Sequence, residues 1–178
     1  MDFDELESAE PAEILAREPF IPVPSFHLTC DADGLPLQSY PLDELAEADR
    51  GLTPQEMRLL ERPRHHAGHG PFSHFSINPS VGGPGTYLFL VEGEITAISY
   101  AENLATEINT VYGHITAADC VEGAARITAC KFNAELTTAA YSDPVELWFR
   151  PGQDPNFARR LYAAQHPPWP TRVPKASY

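Results

Sequence analysis

The sequence predicts an α/β fold: a small, mainly antiparallel sheet of about three strands flanked by helices, with an N-terminal extension. Three observations point there. Two apolar runs, residues 87–91 and 145–149, have the length and the aromatic and β-branched content of strands. The first run meets a second strand-like segment, residues 95–100, across a two-residue Glu92-Gly93 turn, which is the spacing of a hairpin. Helical patterns follow the hairpin and the last strand. At 178 residues the chain holds one domain of ordinary size plus an extension.

The first elements are the least regular. Residues 2–18 carry Asp2, Asp4, Glu5, Glu7, Glu10, Glu13 and Glu18 against Arg17 alone. Such a run reads either as a solvated, partly frayed terminus or as a docking arm for a basic surface. Residues 19–41 read as extended, with 26–30 the best strand and Asp33-Gly34 a turn. Residues 41–47 form a short helix. Residues 52–61 form a better one, because Thr53 suits the N-cap, Pro54 the first turn and Glu56 a capping box. Residues 65–83 read as a loop rich in Gly, Pro, Ser and His.

The second half is clearer. Residues 87–91 have a buried-type pattern, and 95–100 alternate. Residues 102–110 are helical, with Leu104 and Ile108 on one face. Residues 113–123 form a loop. Residues 126–141 form a helix whose apolar stripe includes Ile127, Cys130, Ala134 and Leu136. Residues 145–149 are stopped by Pro151-Gly152, and Asp154 caps a last helix over 155–164.

Lys and Arg total 12 against 25 Asp and Glu, a net charge of −13. That balance makes nucleic acid an unlikely partner, since phosphate rewards cations and repels carboxylates. It suits a basic protein partner or a small molecule. No apolar run is long enough to span a bilayer, so no membrane is expected. Three cysteines without a CxxC, and no signal-peptide pattern, give a cytoplasmic chain with reduced thiols.

Several motifs share one order. Gly85-Thr86-Tyr87 opens the first strand of the hairpin and Ala97-Ile98-Ser99 lies in the second. Asn103 and Leu104 begin the next helix, and Tyr112-Gly113-His114-Ile115 follows it. Downstream come Asp119-Cys120-Val121-Glu122-Gly123, Cys130-Lys131-Phe132-Asn133-Ala134, residues 145–149 and Pro167-Pro168-Trp169. This succession resembles the GIY-YIG nuclease domain, in particular a bacterial group with two cysteines flanking a Gly-Gly-Gln segment and a Glu-Leu-Trp strand. The resemblance covers residues 82–172. It implies an N-terminal extension over 1–80, a GIY-YIG-like domain over 81–172 and a tail over 173–178.

The resemblance also implies which positions carried chemistry. In that family a tyrosine of the first motif acts on the attacking water, and Tyr87 matches it. A second-motif tyrosine assists, and Ala97 stands there. The glycine of that motif is Ser99. An arginine four residues after the position of Asn103 stabilises transition-state charge, and Glu107 occupies it, placing an anion where a cation should be. A metal-binding glutamate five residues after Asn133 is Thr138. The position of the group's post-helix arginine is His114.

The reading that follows is a catalytically degenerate GIY-YIG-like protein that no longer cleaves DNA, with no cofactor and no metal. Its old cleft, lined by Ser99, Asn103, His114, Asn133 and Thr138, serves a protein partner or regulation. An alternative is a small-molecule enzyme using Tyr87 or Tyr100 as acid/base and Glu107 as a carboxylate base or cation anchor. A weaker alternative is a divergent metal-dependent nuclease. His65, His66, His69 and His74 read as solvated loop histidines, a metal site or a pocket lid. Cys120 and Cys130 read as buried apolar groups or as a reactive thiol near Arg126 or Lys131. Trp148 and Trp169 read as structural.

Overall fold

A computed structural model describes residues 1–41 and 53–172. The expected helix over 41–47 lies, beyond Pro41, outside the described residues. The main sheet has four antiparallel strands in the order β1 (Ile21–Pro22), β6 (Val145–Pro151), β4 (Gly85–Val91), β5 (Glu94–Ala101). The three predicted strands are its body, and β1 adds a fourth at the edge. A separate two-stranded ribbon pairs β2 (His27–Leu28) with β3 (Phe75–Ser76).

β4 sits between β6 and β5 and has a core packed on each face, Tyr87 and Phe89 entering one and Leu88 and Leu90 the other, which is why residues 87–91 are apolar in a row rather than alternating. The hairpin turn places Glu92 at φ 52° and Gly93 at φ 83°, the left-handed pair that matches strand twist in a two-residue loop.

On one face of the sheet Leu88, Leu90, Ile95 and Ile98 pack against three helices: α1 (Phe3–Ser8), α2 (Pro11–Arg17) and α6 (Pro155–Gln165). Leu6, Ile14, Phe20, Phe157 and Leu161 supply the opposing side chains, with Leu6, Ile14 and Leu161 fully buried. The acidic N-terminal run is therefore not a frayed arm. Leu6 and Ile14 dock it, while its carboxylates other than Glu18 face water. An Asp2/Glu5 capping box starts α1, and Arg150 ties the segment to the sheet by pairing with Glu18 at 3.3 Å.

On the other face Tyr87, Phe89, Ala97, Leu147 and Phe149 meet the larger core. α5 (Ile127–Ala140) lies over it, with Phe132 and Leu136 fully buried, and Phe132 contacts Phe89, Tyr112 and Trp169. Ile127 and Ala134, expected in the stripe, are only partly buried, because the helix turns Phe132 and Asn133 inward instead. α3 (Pro54–Leu60) precedes a 3-10 turn at His66–His69.

The helix expected over 102–110 takes a different form. α4 (Leu104–Thr106), capped by Asn103, runs into a π-helical segment, Glu107–Tyr112, closed by Gly113 N donating to Ile108 O at 2.7 Å. Leu104 and Ile108 share the buried face as expected. The wider π turn brings Tyr112 inside as well. Gly113 is required by close approach: a Cβ there would stand 2.0 Å from the Phe75 carbonyl oxygen and 2.6 Å from that of Ile108. Among the described residues no helix is long and apolar enough to cross a membrane.

Candidate functional site

Tyr87 and Ser99 are cross-strand partners on β4 and β5, so both side chains leave the sheet on the α5 side. Tyr112, from the end of the π segment, comes in against them. All three are fully buried. A strap formed by residues 167–172 covers them by running along the outer edge of β5. Trp169 N donates to Thr96 O at 2.9 Å, Thr171 Oγ1 to Ile98 O at 2.6 Å and Ser99 Oγ to Arg172 O at 2.6 Å. Arg172 N donates to Tyr112 Oη at 3.1 Å. The strap thus satisfies backbone groups that an edge strand would otherwise expose.

Tyr87 Oη lies beside the hydroxyls of Ser99 and Tyr112 yet makes no hydrogen bond of good geometry. Burial pushes its phenol well above the ordinary range, and Tyr112 and Glu107 add to the effect. Burial likewise pushes Tyr112 up to about 12, opposed by the Arg172 N–H on its oxygen. Glu107 is half-buried, and its carboxyl is raised by burial and held down by Arg172 and Arg126. Two phenols locked in the neutral form offer no base at neutral pH. The cations acting on Glu107 come from outside its own helix, Arg172 from the strap and Arg126 from the start of α5.

The structure brings Tyr87, Ser99 and Glu107 into one cluster but leaves the other predicted residues outside it. Tyr100 points to the opposite face of β5, where burial and the charges of Glu102 and Asp154 raise its phenol. Asn103 is an exposed helix cap, accepting from Thr106 N at 3.0 Å. His114 is exposed and stacks on His74 with ring centroids 4.9 Å apart. Thr138 is exposed and its hydroxyl donates to Ala134 O at 2.7 Å.

Asn133 is fully buried but holds structure together. Its Oδ1 accepts from Ser73 N at 3.0 Å, and its Nδ2 donates to Ser73 O at 2.9 Å and Tyr112 O at 2.7 Å. Ser73 Oγ and Thr137 Oγ1, 2.8 Å apart, complete the network. The segment before residue 80 is thereby bound to α5 and to the end of the π segment.

A second polar cluster joins His65 and Asp119 to Cys120, Cys130 and Arg126, of which the sequence suggested only the thiols and Arg126 as neighbours. His65, read as a loop histidine, is buried, and its Nε2 donates to Asp119 O at 2.6 Å while Nδ1 has no partner. Cys130 Sγ donates to the same carbonyl at 2.9 Å. Contact with Cys120 and burial push the Cys130 thiol above its ordinary range, and the same contact lowers Cys120. Arg126 pairs with Asp119 at 3.5 Å and donates to the carbonyls of Thr110, Val111 and His114, capping the π segment. Both thiols are buried, and only Cys30 is exposed. Among the described residues no group of three or more His, Cys, Asp or Glu side chains is placed to hold a metal ion.

Comparison with protein-family models, with curated proteins and with solved structures finds no match.

Proposed function

We propose that the chain is a non-catalytic binding protein, a degenerate relative of the GIY-YIG nucleases whose first-motif tyrosine has been buried in the core, and that its acidic surface engages a basic protein partner. The element order strand, strand, helix, helix, strand, helix supports the relationship. The observation that carries the loss of catalysis is the closure of Tyr87. Its hydroxyl is fully buried beneath the 167–172 strap, its phenol is held neutral, and a carboxylate, Glu107, stands where charge stabilisation needs a cation. A net charge of −13 adds a barrier to any polyanionic substrate.

The test is DNA binding and cleavage by the purified chain with magnesium or manganese across a salt series. Neither binding nor cleavage at low salt is expected. Metal-dependent cleavage that Tyr87→Phe abolishes overturns the reading and makes the chain a working nuclease.

A further inference from the structure

The surface opposite in character to the closed cleft is an open groove where the β2 ribbon meets the junction of α5 and β6. It consists of two neighbouring depressions of about 320 and 180 Å³, which share Phe26 and Val145 in their walls. Leu28 and Ala140 line the first, and Trp148 the second. An apolar depression lined by Phe26, Leu28, Val145 and Trp148 has the character of an interaction site.

The lining states what fits. Its carboxylates are Asp143 and Glu146, and among the described residues no Lys or Arg lines either depression. Trp148 Nε1 donates to Glu146 Oε2 at 2.8 Å, which fixes the carboxylate at the rim next to the ring. Proline at positions 22, 24, 36 and 144 removes backbone N–H groups, so the groove reads side chains instead of adding a strand to the sheet.

We infer that this groove docks an extended segment of a partner protein that carries apolar anchors with a Lys or Arg beside them. The inference deepens the proposed binding function by giving the partner its site, and it rests on that reading. Charge complementarity selects the occupant: apolar anchors enter between Phe26, Val145 and Trp148, and the cation meets Asp143 and Glu146 in a chain of net charge −13.

The experiment selects a displayed library of random twelve-residue peptides on the full chain and measures the enriched peptides by fluorescence anisotropy. Cys30, the one exposed thiol and a lining residue, allows the groove to be blocked with a maleimide without mutation. The expected result is enrichment of peptides that pair Leu, Ile, Phe or Pro with Lys or Arg. Their binding is lost on the Cys30 adduct and falls about fivefold in the Asp143→Asn/Glu146→Gln variant, in keeping with rim charges worth under about 1 kcal/mol each. Neither change touches the buried core, so folding is kept and is checked by circular dichroism. Peptides that ignore both changes overturn the groove. If those peptides are instead lost when Glu7, Glu10 and Glu13 of the N-terminal segment are changed to Lys, the binding function stands at another site. No enrichment at all overturns both. A concentration-dependent dimer abolished by the adduct also overturns the inference, with a second copy as the occupant.

Discussion

The Ser99 hydroxyl donates to the Arg172 carbonyl at 2.6 Å, joining β5 to a segment 73 positions later and closing the sheet face on which Tyr87 stands. The strap's apolar anchor is Trp169, which packs edge-on to Phe132 with centroids 5.7 Å apart. Burial of the aromatic ring outweighs the single hydrogen bond. Trp169→Ala is therefore expected to cost about 3–5 kcal/mol in urea denaturation, and Ser99→Ala about 1 kcal/mol. In Trp169→Ala the phenols of Tyr87 and Tyr112 regain solvent and titrate nearer pH 10, read by absorbance at 295 nm. Equal costs for the two variants would mean that the strap is held by its hydrogen bonds.

Tyr87→Phe removes a buried hydroxyl that has no good partner, so nothing is orphaned. Its stability is expected within about 1 kcal/mol of the parent, on the stabilising side, because an unsatisfied buried hydroxyl is a cost. A loss above about 2 kcal/mol would show that Tyr87 Oη is bonded to Ser99 or Tyr112 in solution.

Glu107 and Tyr112 set the pH dependence of this cluster. Glu107 is raised above its ordinary 4.5, so the native state holds the proton more tightly than the unfolded chain. Its contribution is complete below pH 4.5 and is lost as pH rises through the native value. Glu107→Gln removes that loss and is expected to be more stable than the parent at pH 7, with the difference vanishing near pH 4. Tyr112 has the same sign in alkali. The unfolded chain ionises near pH 10 and the native phenol near 12, so roughly 2–3 kcal/mol drains away across that interval. Tyr112→Phe is expected to flatten that part of the denaturation profile, and an unchanged profile would place its phenol in contact with water.

The hairpin was legible because the sequence period and the Glu92-Gly93 turn agree, and α6 because Asp154 and Pro155 mark its start. β1 was not, since two residues, one of them Pro22, carry no period. They gain their place from Phe149 and Trp148 across the ladder. The π segment is closed by an i to i−5 bond at Gly113, which no apolar spacing encodes. That bond turns Tyr112 inward, and the strap's bonds reach across 60 and 73 positions. The cluster around Tyr87 was visible only in part for this reason. Tyr87, Ser99 and Glu107 were named from local motifs, while Tyr112 and Arg172 arrive through tertiary contacts. Asn133, expected in a cleft, spends its amide on Ser73 and Tyr112 backbone groups, and a buried amide has the same sequence appearance whether it binds a ligand or a backbone.

The thiols provide a check on the core. Cys30 is exposed and Cys120 and Cys130 are buried, so one equivalent is expected to react with a thiol reagent in native buffer and three after unfolding. Reaction of a second equivalent at a rate independent of denaturant would place Cys120 at the surface.

Asn133 gives the sharpest test of structure against function. Removing its amide leaves Ser73 N, Ser73 O and Tyr112 O without partners inside the core, each worth about 1–3 kcal/mol. Asn133→Ala is thus expected to lose roughly 3–5 kcal/mol. Asn133→Asp keeps the acceptor for Ser73 N but replaces two donors with a buried carboxylate, whose pKa burial would raise. Its deficit should be largest at neutral pH and shrink as the pH falls and the carboxyl gains a proton with which to donate. Chemical denaturation of both variants at pH 7 and pH 5 separates the cases. A ligand-binding Asn133 would leave stability near the parent's, whereas the network requires a large loss in both variants and a pH-dependent one only in the aspartate.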